Sequence, residues 1–202
     1  MEDRKAHWEN VYNTKSPEEV SWTQKRPEVS LEFLDSFELP HTTSIIDVGG
    51  GDSLLVDFLL EEGFEDITVL DISAKAIEKA KKRLGDRAKN VKWVVSDIVD
   101  FKPERNYDVW HDRAAFHFLT EPDQVKSYVD IVNKCVNSYL VIGTFSLDGP
   151  KKCSGLDITQ YSPESMGSTF TGFNTLNCRT HDHITPFGTT QNFIFCSFRK
   201  TI

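Results

Sequence analysis

Three aspartates and a glycine-rich turn are the residues in this chain best placed to do chemistry. Asp47, Gly49, Gly51 and Ser53 lie in Ile-Ile-Asp-Val-Gly-Gly-Gly-Asp-Ser (45–53), Asp71 closes Thr-Val-Leu-Asp, and Asp97 closes Val-Val-Ser-Asp. An apolar run ending in glycines lets the backbone turn sharply and approach a ligand closely. Asp71, followed by Ile72, is placed to accept two hydrogen bonds from a ribose diol. Asp97 can accept from an exocyclic adenine amine, with Ile98 covering the ring. Together they point to an adenosine-containing ligand bound outside the carboxyl ends of parallel strands.

Two kinds of cofactor suit such a site. A dinucleotide fold wants a third glycine for close helix packing, and this chain has Leu54 there. Asp47, inside the strand before the turn, is foreign to that fingerprint. A buried acid there suits orienting the glycine loop and a cationic ligand such as an amino acid amine.

A second group surrounds the end of a later strand. His111, Asp112, Arg113 and His117 follow Trp110 in Trp-His-Asp-Arg-Ala-Ala-Phe-His. Asp112 and Arg113 can pair with each other, or Arg113 can hold an anionic or sulfur-bearing acceptor, since its fork matches carboxylates. His111 faces the cofactor or serves the structure, and His117, between two phenylalanines, reads as a core or surface histidine. His181 and His183 share a strand face, but no third ligand is evident and no metal is expected. Cys153 and Ser154 fall in a loop near the substrate side. Trp8, Tyr12 and Trp22 form either a lid or simple packing.

The elements that position these residues follow from patterning. Helical stretches are expected at 3–13 and 28–37, separated by a loop carrying Trp22. Strands are expected at 44–48, 67–70, 91–95, 107–110 and 139–145. Helices lie between them at 53–62, 74–84 (capped by Ser73 and stopped by Gly85) and 122–135. A long polar loop covers 146–161, a short helix 163–169, and two strands at 173–178 and 192–198 close the chain. The alternation from 44 to 145 predicts an α/β, doubly wound, Rossmann-like sheet that is mostly parallel and ends in an antiparallel C-terminal hairpin. Residues 1–40 read as an N-terminal helical lid segment and 41–202 as the cofactor-binding domain.

The chain has 202 residues, a net charge of −8 and 27% charged residues. That balance predicts one soluble domain and argues against nucleic-acid binding, which rests on Lys and Arg neutralising phosphates. No apolar run approaches a membrane span and no signal peptide is read at the N-terminus. The four cysteines, 135, 153, 178 and 196, form no Cys-x-x-Cys pair. Free thiols in a reducing cytoplasm are the expectation.

The motifs at 45–53, 71 and 97–98 resemble those of the class I S-adenosylmethionine-dependent methyltransferases. The resemblance covers about 44–145 by motif and the closing hairpin by layout. It implies a seven-stranded sheet, with Asp47, Gly49 and Gly51 around the methionine part, Asp71 at the ribose, and Asp97 with Ile98 at the adenine. The runs 110–119, 143–156 and 185–191 resemble a small bacterial-type branch of unassigned substrate. Trp-x-Asp-Arg-x-Ala is similar to the thiopurine methyltransferase group, and the tryptophans at 8 and 22 are similar to elongation-factor lysine methyltransferases. The resemblance implies methyl transfer by direct displacement to a small-molecule acceptor, with His111, Asp112 and Arg113 at the acceptor end and Ser53, Ile72 and Trp22 beside the cofactor. The alternatives are a protein lysine methyltransferase and a non-catalytic cofactor-binding partner subunit. An NAD-dependent oxidoreductase is disfavoured by Leu54.

Overall fold

A computed structural model describes residues 4–201. The chain enters through helix α1 (Arg4–Thr14) and helix α2 (Glu28–Asp35). It then alternates: β1 (Ser44–Val48), α3 (Leu55–Glu61), β2 (Asp66–Asp71), α4 (Ala74–Leu84), β3 (Val91–Val95), β4 (Tyr107–Arg113), α5 (Pro122–Cys135), β5 (Val136–Phe145). A short ribbon, β6 (Lys152–Cys153) and β7 (Leu156–Asp157), precedes α6 (Pro163–Thr169) and the long hairpin β8 (Phe173–Ile184) and β9 (Thr190–Lys200).

The seven strands order β3-β2-β1-β4-β5-β9-β8. Pairing is parallel from β3 to β5 and antiparallel at β5–β9 and β9–β8. The doubly wound fold with its antiparallel ending is therefore as expected from sequence. Strand order reverses between β1 and β4, which opens a crevice at their carboxyl ends. Successive side chains alternate between the faces. Ile45 and Val109 join a core with α2 and α3, while Ile46, Val48, Trp110 and Leu140 join the other with α5 and α6.

Local signals set the ends. Ser73 Oγ accepts from the Ala76 amide at 3.2 Å and starts α4, whose Ala76, Ile77, Ala80 and Leu84 face inward. Pro122 opens α5, where its missing N–H costs nothing. No helix among the described residues is long and apolar enough to cross a membrane.

Four expectations need correction. Strand β4 continues past Trp110 to Arg113, so His111 and Asp112 are strand residues and fully buried. The stretch 146–161 contains the β6–β7 ribbon. The closing strands are longer, running 173–184 and 190–200. Cys178 and Cys196 stand opposite each other on β8 and β9 and form a disulfide, so only Cys135 and Cys153 are free thiols.

Candidate active site

The crevice at the β1–β4 reversal deepens into a cavity of about 740 Å³. That lies within the ~300–1,000 Å³ typical of small-molecule sites. Its floor is the glycine turn after β1 and the end of β4. One wall carries Asp71, Ile72, Asp97 and Ile98 from the ends of β2 and β3, and the cover comes from α1 and residues 15–27.

The glycine turn is fixed by contact. Gly49 has φ +68°, and a Cβ there would lie 2.6 Å from the Ala115 Cβ. A Cβ on Gly51 would lie 2.4 Å from Asp71 Oδ2. No larger side chain fits either place without displacing the β4 end or the Asp71 carboxylate. Gly51 thus supports Asp71 from behind rather than lining the cavity, whereas Gly49, Ser53 and Asp47 line it.

Asp47 and Asp71 are both buried. Asp71 Oδ1 accepts from the Ser73 amide at 2.8 Å. Burial pushes its pKa up to about 7, and the nearby Asp47 carboxylate adds to the rise against the Ser73 and Gly51 amides. Asp47 Oδ1 meets His111 Nδ1 at 2.7 Å, and His111 Nε2 meets Ser30 Oγ at 2.8 Å. The chain Ser30–His111–Asp47 ties α2, β4 and β1 together. It leaves Asp47 Oδ2 buried without a hydrogen-bond partner, beneath Gly50 of the turn. A buried carboxylate oxygen without a donor costs free energy that a ligand cation can recover. Asp97 Oδ1 accepts from the Val99 amide at 3.2 Å, and its Oδ2 receives the Arg4 guanidinium at 2.7 Å.

His111, Asp112 and Arg113 diverge. The period of a strand sends His111 and Arg113 to one face and Asp112 to the other. Asp112 accepts from the Ala115 and Phe116 amides and from Tyr128 Oη at 3.0, 3.1 and 2.8 Å. Burial raises its pKa to about 6 in spite of those donors. It therefore shapes the 113–116 turn from beneath, and it does not pair with Arg113. The turn it holds includes Ala114, a cavity residue at φ +66°, a backbone state that side chains other than glycine seldom adopt. His111 has both ring nitrogens engaged. Of the three, Arg113 alone brings an uncommitted functional group to the cavity.

Arg113 Nη1 donates to the Trp22 carbonyl at 3.0 Å, and its guanidinium lies 4.9 Å from the centre of the Phe193 ring. Its Nε and Nη2 are buried without acceptors. Burial pushes its pKa down to about 10, so it remains a cation at neutral pH. His117 packs on Phe145 at 4.7 Å. Burial first, and Arg113 second, push its pKa down to about 3. His183 Nε2 donates to the Ser21 carbonyl at 2.7 Å, which fastens the Trp22 loop to the hairpin. Cys153 lines the cavity as a buried thiol with its pKa pushed up to about 11 by burial.

The cover is aromatic. Trp8 lies 5.5 Å from Trp22 and 5.1 Å from Phe118, and Tyr12 lies 6.2 Å from Trp8. Helix α1 is fastened by Arg4 on Asp97, by Glu9 on the start of α4, and by His7 Nε2, 3.3 Å from Ser154 Oγ. Glu9 accepts from the Ala74 and Lys75 amides at 2.8 and 3.1 Å and from Ser73 Oγ at 3.0 Å. Burial opposes its ionisation, but the donors at this helix N-terminus outweigh it and hold its pKa low. Ser30, Glu9 and Arg4 carry no recognisable motif, because their partners lie 64 to 93 residues away.

Residues 45–136 match a family described as a methyltransferase domain. Malonyl-[acyl-carrier protein] O-methyltransferase 1 of Ilyobacter polytropus is 32% identical over 79 residues, 39% of this chain and 29% of that protein. The chain spans under a third of the length of the curated relatives it matches. Among solved structures, an S-adenosylmethionine-dependent methyltransferase from Anabaena variabilis superposes with a TM-score of 0.75 at 15% identity, covering 98% of this chain and 95% of that one. The N-methyltransferase NodS of Bradyrhizobium japonicum, in complex with S-adenosylhomocysteine, gives 0.74 at 15% identity, covering 99% and 100%.

Proposed function

We propose that this chain, by its matched domain and its fold a class I S-adenosylmethionine-dependent methyltransferase, transfers a methyl group to a small-molecule acceptor. The observation that carries the reading is the unpartnered Asp47 Oδ2 behind the glycine turn, in one cavity with the Asp71 and Asp97 carboxylates. An ammonium at Asp47, a ribose at Asp71 and Ile72, and an adenine at Asp97 and Ile98 match that set in charge and order. Gly49, Gly51 and Ser53 keep the turn open to the methionine part, and Trp22 belongs to the cover.

When bound, the cofactor supplies an electrophilic methyl group on a positively charged sulfur. The chain's own residues then have three tasks. The carboxylates fix the cofactor. The Trp8, Tyr12, Trp22 and Phe118 rings exclude water. The β4 end sets the acceptor in line, where positioning is the main source of rate. His111 and Asp112 act through other groups, His111 by holding Asp47 and Asp112 by holding the turn, while Arg113 faces the acceptor.

Calorimetry with S-adenosylmethionine, S-adenosylhomocysteine and NAD tests the cofactor. Binding of the first two and not of NAD is expected, and the reverse removes the proposal. Incubation with methyl-labelled cofactor and a cell extract, split into small-molecule and macromolecular fractions, tests the acceptor. Label in macromolecules alone overturns the small-molecule assignment.

A further inference from the structure

Arg113 differs from the other arginines near the cavity. Arg4 pairs with Asp97, and Arg83 with Asp52 and Asp57. Arg113 has one backbone carbonyl and one ring face, and its Nε and Nη2 are buried without acceptors. Holding an unpaired guanidinium out of water costs several kcal/mol. Nε and Nη2 form the edge that meets two oxygens of one carboxylate side by side. The nearest acid in sequence, Asp112, lies on the opposite face of the sheet.

Among the described residues, no histidine or thiol near Arg113 is placed to take a proton from the acceptor. His111 has both nitrogens engaged by Asp47 and Ser30. His117 is too weak a base and the Cys153 thiol too weak an acid to exchange protons near neutrality. Asp47 and Asp71 are committed to the cofactor side. The other acids of the lining are Glu18, Asp52, which pairs with Arg83, and Asp97, which pairs with Arg4; a carboxylate acceptor needs none of them as a base. A carboxylic acid arrives already ionised.

Charge in the lining agrees. The chain carries −8 overall, yet Arg4, Lys15, Lys25, Lys79, Lys82, Arg83 and Arg113 outnumber Glu18, Asp47, Asp52, Asp71 and Asp97 around the cavity. A cationic excess there on an acidic protein draws anions toward the site.

We propose, resting on the methyltransferase reading above, that the acceptor is a small carboxylic acid with an apolar body, gripped by the Nε–Nη2 edge of Arg113 and methylated on a carboxylate oxygen. The oxygen's lone pair forms the new carbon–oxygen bond as the carbon–sulfur bond breaks, and that bond's electron pair stays on sulfur. The anion and the sulfonium cation become a neutral methyl ester and a neutral thioether. No proton moves, so the step needs no base. Trp8, Trp22 and Phe118 provide the apolar surface for the acid's body.

The test starts with full-length protein loaded with S-adenosylhomocysteine. It is titrated calorimetrically with benzoate, phenylacetate and monomethyl succinate, and with the corresponding primary amides. Acids are expected to bind at least tenfold more tightly than their amides, as a charged partner for a buried cation requires. Equal binding, or no binding of acids by protein that holds the cofactor product, overturns the proposal and leaves methyl transfer standing. Protein that does not hold the cofactor product fails the earlier reading instead. Arg113→Gln is expected to weaken acid binding on the order of thirtyfold with cofactor affinity kept within about twofold, and Arg113→Lys to fall between. Loss of cofactor affinity with acid binding intact assigns Arg113 to the cofactor's own carboxylate and overturns the proposal. With labelled cofactor and an extract, the small-molecule label is expected to be released as volatile methanol in alkali. Label that survives alkali is not in a methyl ester and also overturns it.

Discussion

The two ends of the cavity are built by different means. The end proposed for the cofactor comes from one continuous stretch, 45–98, in which strand ends and a glycine turn bring three aspartates to the cavity. Its geometry owes much to backbone: a Cβ at Gly49 or Gly51 collides, and the Ser73 and Val99 amides hold Asp71 and Asp97, while His111 holds Asp47. The end proposed for the acceptor is gathered from the N-terminal segment, the β4 end and the β6–β7 ribbon, with Phe193 of the β8–β9 hairpin under Arg113. Its Arg113 keeps surplus hydrogen-bonding capacity at Nε and Nη2. A shared cofactor calls for a fixed backbone cradle. An individual acceptor is recognised by side chains whose partners arrive with it.

The sharpest way to break this contrast is Asp71→Ala. Loss of two charge-assisted hydrogen bonds to a ribose is expected to cost about 4 kcal/mol, roughly a thousandfold in cofactor affinity, read by calorimetry. A variant binding within about threefold of the parent removes Asp71 from the cofactor end. The disulfide tests the opposite end. Cys178→Ala is expected to lower stability by about 3 kcal/mol in denaturant unfolding, because it opens a loop across a separation of 18 residues. Cofactor affinity should not change, since the hairpin contributes nothing to that wall.

The pH dependence of cofactor binding is the third test. A ribose diol donates to the ionised form of Asp71, whose pKa in the unliganded protein is raised to about 7. Binding therefore tightens as the group ionises, about tenfold between roughly pH 6 and pH 8, and Asp71→Asn should abolish that slope. The same shift runs the other way for stability. With the folded pKa raised above the unfolded value, Asp71 favours the folded state at low pH, and that contribution declines as pH rises from about 4 to 7. The smallest effect is Ser30→Ala. It leaves His111 Nε2 buried without its partner and should cost about 1 kcal/mol, a melting shift of about 2–4 °C.

The cofactor end was the more legible from sequence because its determinants are local. Ser44–Val48, Ala74–Leu84, Val91–Val95, Pro122–Cys135 and Pro163–Thr169 fall where patterning and caps put them. The continuation of β4 was hidden because His111, Asp112 and Arg113 read as a polar loop. They are buried because Ser30, Asp47, Tyr128 and Trp22 supply partners from elsewhere. Strand β8 was underestimated for a related reason. Its outer residues are largely exposed, so its sequence lacks the strong apolar alternation of a half-buried strand. The pairing of Cys178 with Cys196 depends on strand register, which no spacing rule contains.

The fastening of α1 bears on turnover. Arg4 holds a carboxylate proposed for adenine, and Glu9 holds the start of the helix that follows Asp71. A ligand reaching Asp97 must exchange places with a guanidinium the chain itself supplies. Turnover paced by lifting of this eleven-residue helix would be slowed by solvent friction, which bond-making chemistry does not feel. Added viscogen should lower kcat in proportion, and Arg4→Ala should raise the rate of product release.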